Sequence, residues 1–323
     1  ISPEGGRISF VLPPLSEERD EYLSNIWIVD AAGGEPRRFT AGPRRDVEPR
    51  WSPDGTRLAF LSERTPKEKL QLYVMPADGG EPARLTSLEN GAGSLAWSPD
   101  GARLAFVSPV GGQREPESEE ERRKSRPARV ITSLKYRFNG EGFVYDRRPH
   151  VFVIALDGAG PQQVTDRDFI DALPAGDFIN TDPAWAPDGQ SIVFVSARHA
   201  ERDEDDASDL WRVAAAGGTA QKLTATPGPI LQPAFSPVGG TIAFLARPGR
   251  NAFGRNIRTF TIPSSGGDAV CLTSTLDRSC GALHVPPLWS PDGRSVVVAT
   301  EDHGDVGLWR VDAQGRGAPR RIL

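Results

Sequence analysis

Six short apolar runs recur along the chain, and within each run neighbouring positions are both apolar instead of alternating with polar ones. The runs are ISFVL from residue 8, LAFLS from 58, LAFVS from 104, IVFVS from 192, IAFLA from 242 and VVVAT from 296. Short runs rich in β-branched and aromatic residues predict strands that are covered on both faces. The pattern therefore predicts several sheets that hide both of their surfaces.

A proline-glycine bend stands just before each apolar run. The bends are WSPDG at 51–55, 97–101 and 289–293, WAPDG at 185–189, FSPVG at 235–239 and ISPEG at 1–5. Serine supplies a side-chain acceptor at the first position, proline fixes φ at the second, and glycine follows at the end, as in a type I turn. We expect these bends to be the tips of hairpins.

A second repeated half follows each run and is typical of strand, glycine turn and strand. These halves are NIWIVDAAGGEPRRFT from 25, QLYVMPADGGEPARLT from 71, HVFVIALDGAGPQQVT from 150, DLWRVAAAGGTAQKLT from 209, RTFTIPSSGGDAVCLT from 258 and GLWRVDAQGRGAPRRIL from 307. A short run stands before five of the bends, namely EPRW, SLAW, DPAW, QPAF and PPLW. Each of these runs supplies a fourth strand to its unit.

The spacing of the units predicts the architecture. The bend prolines lie at 3, 53, 99, 187, 237 and 291, so the spacings are 50, 46, 88, 50 and 54 residues. Four-stranded units of roughly 40 to 50 residues, repeated radially, are typical of a β-propeller, in which stacked blades cover each other's faces. We predict an all-β propeller domain over 1–323, with six repeat units visible.

Composition limits the classes of function. With 38% hydrophobic and 25% charged residues, the 323-residue chain can bury a large core. Its net charge of −5 gives no electrostatic case for binding nucleic acid or an anionic membrane. The sequence shows no signal peptide or membrane span, so we expect a cytoplasmic location. Ile1 is not a natural start, and removal of an N-terminal segment is a second expectation.

Residues that often carry chemistry are sparse and scattered. Cys271 and Cys280 lie outside any metal or redox motif, and we expect two reduced structural thiols. The four histidines show no metal-ligand spacing, so we predict neither a metal nor a cofactor. The acidic segment ERDEDDASD at 201–209 lacks the glycine and glutamate of a calcium loop, and we interpret it as a solvated connection.

The positions of the tryptophans indicate a structural role, and the sequence lacks the serine motif of a hydrolase. All seven tryptophans fall on repeat positions and are predicted to lie in the core between blades. These are Trp27, Trp51, Trp97, Trp185, Trp211, Trp289 and Trp309. The sequence contains no Gly-x-Ser-x-Gly, so a serine nucleophile elbow is absent from these residues and no catalytic residue can be assigned.

The third unit contains an insertion of about 40 residues, at about 110–149. Its first part, REPESEEERRKSRPAR at 114–129, places Glu119 and Glu120 four residues before Arg123 and Lys124, which predicts a short exposed helix. The second part, VITSLKYRFNGEGFVYDRRPH at 130–150, combines aromatic residues with arginines. Long loops of this composition often carry function, so the second part is the candidate site.

At the level of families, the WSPDG and LYV..GG..LT units resemble the WD40-like repeats of TolB and of the prolyl oligopeptidase (S9) serine peptidases. The run ITSLKYRFNGEGFVYDRRPHVFVIALDG, followed by DPAWAPDG and ARHAERDEDDASDLWRV, is more particularly similar to the acylaminoacyl-peptidase (S9C) branch. This resemblance implies a seven-bladed propeller followed by an α/β-hydrolase domain with a Ser-Asp-His triad. Only six units are present and no triad residue can be placed, so we expect part of a longer enzyme.

The resemblance suggests a role for the inserted arginines. A propeller over an active site admits only thin or unfolded peptides. An acylated amino terminus has no positive charge, but its carbonyl oxygen, or the carboxylate at the other end of the peptide, suits a guanidinium group. Our hypothesis is that short peptides are bound or screened by Tyr136, Arg137, Phe138, Tyr145, Arg147 and Arg148.

Two other classes of protein stay open at this stage. A TolB-like six-bladed propeller would be a scaffold for protein partners, and the count of six units favours it. A stand-alone propeller enzyme, such as a lactonase or a glycosidase, would need metal ligands or paired carboxylates around the channel. The expected partners are the chain's own hydrolase domain and short peptides, and the oligomeric state is open.

Overall fold

The computed structural model is nearly all β and confirms the predicted architecture of six blades. It describes residues 1–13, 23–42, 45–65, 68–112, 120, 124, 129–138, 142–165, 183–225, 228–251, 253–282 and 285–323. Among these residues, no helix has the length and apolar character needed to cross a bilayer.

Each repeat unit forms one antiparallel sheet, and the sheets are named blades I to VI in chain order. Blade I has three strands: β1 (Arg7–Leu12), β2 (Asn25–Asp30) and β3 (Arg37–Arg38). Blade II contains β4 (Asp46–Trp51), β5 (Arg57–Ser62), β6 (Gln71–Pro76) and β7 (Ala83–Arg84). Blade III contains β8 (Gly93–Trp97), β9 (Arg103–Gly111), β12 (Arg147–Ala155) and β13 (Gln162–Gln163), with a separate hairpin of β10 (Arg137–Phe138) and β11 (Gly142–Phe143).

The last three blades repeat the same order of strands. Blade IV contains β14 (Ala184–Trp185), β15 (Ser191–Ser196), β16 (Asp209–Ala214) and β17 (Gln221–Lys222). Blade V contains β18 (Ile230–Phe235), β19 (Thr241–Ala246), β20 (Arg258–Pro263) and β21 (Val270–Cys271). Blade VI contains β22 (Leu288–Trp289), β23 (Ser295–Asp302), β24 (Asp305–Asp312) and β25 (Arg320–Arg321).

The apolar runs form the second strand of each blade. In β5, β15 and β19 every residue after the first is buried, as expected for a strand covered on both faces. Four second strands carry a fully buried phenylalanine at the same position: Phe60, Phe106, Phe194 and Phe244. Three of these rings stack on an aromatic side chain of the third strand, with centroid distances of 5.5 to 5.9 Å. These stacked pairs form the centre of the blades.

Hydrophobic clusters join the blades in sequence. Each of five clusters contains residues of two neighbouring blades, from blades I and II through to blades V and VI. Within the described residues, no cluster joins blade VI to blade I. Leu12 of blade I and Leu288 of blade VI are 46% and 52% exposed.

Tryptophan and arginine clamp neighbouring blades together at the bends. Trp97 donates its indole N–H to the carbonyl of Arg50 in the preceding blade at 2.9 Å. Arg57 stacks over the Trp97 ring at 5.5 Å and donates to the carbonyl of Gly101 at 3.1 Å. Arg103 makes the same two contacts with Trp185 and Gly189. These cation–π contacts and hydrogen bonds fix how one blade is stacked on the next.

The structure confirms the core role of most tryptophans. Trp51, Trp97, Trp185, Trp211, Trp289 and Trp309 pack in or against the clusters between blades. Trp27 is different, because it lies on β2 opposite Phe10 of β1 and is half-buried outside these clusters. Both cysteines are free thiols, as the sequence predicts, and Cys280 is buried.

A threonine ends the second half of each of the first five repeats and has a structural function. In blades I to V its hydroxyl oxygen accepts a hydrogen bond from the backbone N–H 14 residues earlier, which lies on β2, β6, β12, β16 or β20. In blade II, Thr86 accepts from the Leu72 amide at 2.9 Å and donates to the Gln71 side chain at 2.8 Å. Thr86 is buried, so these bonds satisfy polar groups that water cannot reach.

We expect replacement of Thr86 by valine to destabilise the fold. Thr86→Val keeps the shape of the side chain but leaves the buried Leu72 amide without an acceptor, at a cost of about 1–2 kcal/mol. Thermal unfolding should show a Tm lower by about 2–4 °C. The matched control Thr86→Ser keeps the hydroxyl and should lose less. Equal losses in the two variants would contradict this account.

The acidic residue of the bend makes stability depend on pH. The Ser52 hydroxyl and the Thr56 amide donate to Asp54, which lowers the pKa of Asp54 to about 2. The same hydrogen bonds lower the pKa of Asp100 and Asp292. A carboxylate whose pKa is lowered by folding contributes its stability fully above the unfolded-state pKa of about 4 and loses it as the pH falls toward 2.

The dependence of Tm on pH should therefore steepen between about pH 4 and pH 2. Asp54→Asn removes one of the titrating groups and should flatten the curve in that range. Asp268→Asn, at an exposed position without a described hydrogen bond, is the control and should leave the curve unchanged. Parallel curves for Asp54→Asn and the unaltered protein would show that the bend does not carry this dependence.

Candidate functional site

The loops between the second and third strands of the blades emerge on one face of the propeller. They include the insertion of blade III, the loop 197–208 of blade IV and the loop 247–257 of blade V. Equivalent strands run in the same direction in every blade, so equivalent loops share a face. The sequence-predicted site residues lie in or next to the first of these loops, and this shared surface is called the loop face below.

Aromatic and arginine side chains of the insertion gather around Phe143 on β11. The ring of Tyr136 lies 6.3 Å from that of Phe143, and the ring of Tyr145 lies 6.2 Å away in an edge-to-face arrangement. The guanidinium groups of Arg129 and Arg137 lie 4.2 Å and 5.6 Å from the Phe143 centroid. The result is a small cation–π cluster on the hairpin β10–β11.

The structure brings together four of the six predicted residues. Tyr136 is 39% exposed and Arg137 is also exposed, while Tyr145 is half-buried in the cluster. Arg147 donates its Nε and one terminal nitrogen to the Phe143 carbonyl at 3.0 and 2.8 Å. Phe138 is half-buried on β10 beside this group.

The placement of Arg147 and Arg148 corrects one expectation. The sequence pattern predicts them in the inserted loop, with the third strand starting at 150. In the structure β12 begins at Arg147, and the two arginines pair with Gly111 and Val110 of β9. The long β9 continues past the blade and provides partners for them. Arg147 therefore supports the hairpin through the Phe143 carbonyl, and Arg129 and Arg137 are the exposed arginines of the cluster.

Phe143 and Arg129 are central to the cluster but are absent from the predicted set. Phe143 is a hydrophobic residue in an aromatic-rich segment, and its sequence position does not show that four other side chains converge on it.

Two described residues test the helix that was predicted from Glu119, Glu120, Arg123 and Lys124. Glu120 and Lys124 are helical and form an ion pair at 2.6 Å, and the other two positions lie outside the described residues.

Asp203 anchors the insertion to blade IV. Its carboxylate accepts hydrogen bonds from the Ser133 hydroxyl at 2.7 Å, the Leu134 amide at 2.6 Å and the Lys135 amide at 2.9 Å. The two amide bonds and the Ser133 hydroxyl hold the pKa of Asp203 below its usual value. This contact is the Asp203 latch, and it positions the segment that leads directly into β10.

Lys135 reinforces the latch from the other side. Its ammonium group donates to the backbone carbonyls of Arg202 and Asp205. Burial lowers the pKa of Lys135, and the carboxylates of Asp205 and Asp203 oppose that shift. The interpretation of 201–209 as a solvated connection is thus wrong for Asp203 and Asp205. These carboxylates bind side chains and backbone from other loops, because the fold places the insertion against them.

The loop 197–208 of blade IV, which contacts the insertion of blade III, also contacts the loop of blade V. Asp205 is buried and lies 3.2 Å from the His199 imidazole and 3.4 Å from the Arg250 guanidinium. Asp206 accepts a hydrogen bond from the Asn251 amide at 2.9 Å. Carboxylates of a single loop therefore connect the loops of blades III, IV and V on the loop face.

A pocket of about 560 Å³ opens between blades V and VI beside these loops. Its walls include the apolar side chains of Leu231, Leu245 and Ile257. Arg247 also lines the pocket, and its Nε is buried without a hydrogen bond. Phe253 is 86% exposed at the wall. Apolar walls beside a guanidinium can accommodate an apolar side chain with a neighbouring anionic or carbonyl group.

The described residues show no metal-binding constellation. No group of three or more histidine, cysteine or acidic side chains is arranged to hold a metal ion in this part of the chain. His150 is buried beside Thr165, and His303 is exposed next to Asp302. His284 lies outside the described residues.

Comparisons with known proteins support the same fold. The family described as "TolB beta propeller domain" (PD40) matches residues 1–137 and 143–322. A curated relative, "Uncharacterized peptidase YuxL" of Bacillus subtilis, is 26% identical over 99% of this chain and 49% of its own length. The chain thus spans about half the length of that relative.

Two solved structures illustrate the range of similar propellers. The Pyrococcus horikoshii acylaminoacyl peptidase matches 98% of this chain and 44% of its own, with 17% identity and a TM-score of 0.70. TolB from Acinetobacter baumannii matches 98% of this chain and 65% of its own, with 22% identity and a TM-score of 0.58. At these identities the likeness shows the fold alone.

We expect the Asp203 latch to control the order of the insertion. Asp203→Ala removes the shared acceptor of three donors and should release the segment around 133–135 from blade IV. Trypsin should then cleave at the arginines and lysine of 129–148 about tenfold faster in limited proteolysis. Glu204→Ala changes the exposed neighbouring carboxylate and is the control. Unchanged cleavage in Asp203→Ala would show that other contacts hold the insertion.

Proposed function

Because the chain belongs to the TolB β-propeller family, we propose that it is the propeller part of an S9 serine peptidase that acts on short peptides. In this proposal the propeller selects peptides, and an α/β-hydrolase domain of the same enzyme cleaves them. The finer assignment is an acylaminoacyl-peptidase-like exopeptidase in the cytoplasm.

The extent of the match to a peptidase carries the proposal. Nearly the whole chain aligns with about half of the Bacillus relative, which is named a peptidase. The propeller is thus the part in common, and the rest of such an enzyme is the natural place for the nucleophile. This division agrees with the absence of Gly-x-Ser-x-Gly from the sequence.

Selection would operate through exclusion and through binding. A ring of packed blades is a rigid wall, so a catalytic centre beneath it is reached only by chains thin enough to pass. Excluding folded proteins protects them from hydrolysis. Water is also kept from the centre, which strengthens electrostatic interactions inside.

Binding would use the exposed side of the hairpin cluster. Arg137 makes no ion pair among the described residues, and its guanidinium group lies over the Phe143 ring. A guanidinium held against an aromatic face keeps its N–H groups available for a carboxylate or an acyl carbonyl oxygen. Tyr136 offers an aromatic surface and a hydroxyl next to it. The Asp203 latch would hold Tyr136 and Arg137 in a fixed position on the loop face.

A TolB-like scaffold is the second candidate, and one observation favours it. The described residues form six blades, the number expected of a TolB-like scaffold, whereas the peptidase family is expected to have seven. In that case the loop face would bind a folded protein partner and no hydrolase activity would accompany it. The two candidates differ in whether the complete gene product contains a reactive serine.

The protein encoded by the complete gene should react with a fluorophosphonate probe. Such probes form a covalent bond with an activated serine, so labelling detects the hydrolase directly. Residues 1–323 alone should show no labelling, because they contain no nucleophile elbow. The complete protein should also hydrolyse N-acetylated dipeptide and tripeptide anilides but not a folded protein. Absence of labelling in the complete protein would refute the peptidase assignment and favour the scaffold.

Replacement of Arg137 should affect binding of short peptides more than catalysis. Loss of a charge-assisted hydrogen bond of about 1.5 kcal/mol would raise KM roughly tenfold while kcat changes little. Arg316→Ala removes an exposed arginine from the β24–β25 turn, which emerges on the opposite side from the loop face, and is the control. Equal KM values for Arg137→Ala and the unaltered enzyme would exclude this contact without bearing on the hydrolase itself.

A further inference from the structure

The pocket between blades V and VI has walls that backbone hydrogen bonds hold in place. It is lined by the end of β19 and by the short segment that leads toward blade VI. In that segment the Cys280 amide donates to the Ile257 carbonyl and the Gly281 amide donates to the Ala299 carbonyl, both at 2.9 Å. Gly281 has a φ of +90°, and a Cβ at this position would lie 2.7 Å from the Leu245 side chain. The pocket is therefore a preformed cavity, and its volume of about 560 Å³ suits a small ligand.

Arg247 is a charged group of this pocket that the described part of the chain does not pair. It forms no ion pair among the described residues, and its Nε is buried without a hydrogen bond. Its guanidinium group lies 6.0 Å from the centre of the Phe253 ring. Arg258 of the same blade, by contrast, donates to the carbonyls of Thr273 and Leu276. A buried N–H group without an acceptor is costly, so the arrangement of Arg247 suits an acceptor that a ligand supplies.

The chemistry of a guanidinium group favours a carboxylate as that acceptor. Nε and a terminal nitrogen of arginine form a planar fork that matches the two oxygens of a carboxylate. The two acidic residues at the pocket do not pair with Arg247. Asp206 accepts the Asn251 amide, and its charge interacts with the Lys135 ammonium group. Glu301 is exposed near the end of β23. The fork of Arg247 is therefore available to an anionic group of a ligand.

The remaining walls suit an apolar side chain. Leu231, Leu245 and Ile257 line the pocket, and the ring of Phe253 stands 86% exposed at its wall. An exposed aromatic ring beside an apolar cavity gains favourable contact area when a ligand covers it. A carboxylate next to the carbon that carries an apolar side chain is the chemistry of the last residue of a peptide. The pocket matches both parts of such a residue.

We propose that this pocket binds the carboxyl-terminal residue of a short peptide. The carboxylate lies on the fork of Arg247, and the apolar side chain packs against Leu231, Leu245 and Ile257. The inference rests on the proposed function for the source of the peptide, and it adds a second contact to the one proposed at Arg137. Because a peptide carries its main-chain carboxylate only at its end, this contact distinguishes a peptide end from an internal segment. It favours short peptides with an apolar last residue over chains whose end is amidated.

Binding of a peptide and of its amide to the complete protein tests the inference. The reactive serine is first blocked with a small fluorophosphonate so that nothing is hydrolysed, and a protein that does not label is measured in the same way. In titrations followed by NMR, N-acetyl-alanyl-leucine should bind about tenfold more tightly than its carboxyl-terminal amide, because only the acid forms a charge-assisted pair with Arg247. N-acetyl-alanyl-glycine should bind about tenfold more weakly than the leucine peptide, because it lacks the apolar side chain. Equal affinities for the acid and the amide would overturn the inference, whether or not the serine reacts.

Variants of two arginines locate the contact. Arg247→Met keeps an apolar stem of similar length but removes the fork, so the preference for the acid over the amide should disappear while the affinity for the amide stays the same. Arg247→Lys keeps the charge and should retain part of the preference. Arg255→Met removes an exposed arginine at the rim of the same pocket and is the matched control, which should keep the full preference. Equal loss of acid and amide binding in Arg247→Met would show a purely structural role. That result, or loss of the preference in Arg255→Met alone, would refute the assignment.

Two further measurements examine the apolar part of the pocket. Phe253→Ser changes an exposed ring and should weaken binding of the acid and of the amide by the same factor of about five, with the preference between them unchanged. Unchanged affinities in Phe253→Ser would contradict the location. Octanoate should bind about tenfold more weakly than the leucine peptide, because its flexible chain loses more freedom on binding. Octanoate binding as tight as that of the peptide would assign the pocket to fatty carboxylates and refute the peptide as its ligand.

Discussion

Each blade has two apolar faces, and neither can be left in water; the whole architecture follows from this constraint. A four-stranded sheet with Phe60 or Phe244 at its centre needs a neighbour on both sides, and stacking the repeats around an axis supplies one. The hydrophobic clusters between blades hold neighbouring blades together, but hydrophobic packing is non-directional and does not fix their relative orientation. Direction comes from the Trp–Arg clamps, in which an indole N–H and a guanidinium each reach a backbone carbonyl across the interface.

The clamps leave the other side of the propeller free to vary. The bends, with their serine, proline and glycine, carry contacts that recur between blades, whereas the loops at the opposite ends of the strands differ in length from blade to blade. An insertion of about 40 residues in blade III is thereby tolerated, and it finds its own support in the carboxylates of the blade IV loop. The proposed selection of peptides depends on this separation between a rigid stack and a loop face anchored on it.

Local sequence predicted much of the fold, since its signals lie within a few residues of each other. The bends, the second strands and the terminal threonines are encoded by five- to sixteen-residue patterns, and they occur where the patterns predict them. The first residues of β12 were missed because strand length depends on what β9 offers as a partner, not on the composition of 147–149. The helix at Glu120 and Lys124 was predictable, because an ion pair between residues i and i+4 depends only on the local helical geometry.

By itself, the sequence determined the repeat, the number of units, the all-β class and the core role of six tryptophans, because periodic short-range chemistry repeats in register with the blades. Only the tertiary structure decided the site. Asp203 and Ser133 are 70 residues apart, and their contact exists because blades III and IV are neighbours. Phe143 became the centre of the hairpin cluster because the hairpin β10–β11 turns the chain back on itself and brings Tyr136 and Arg137 against its ring.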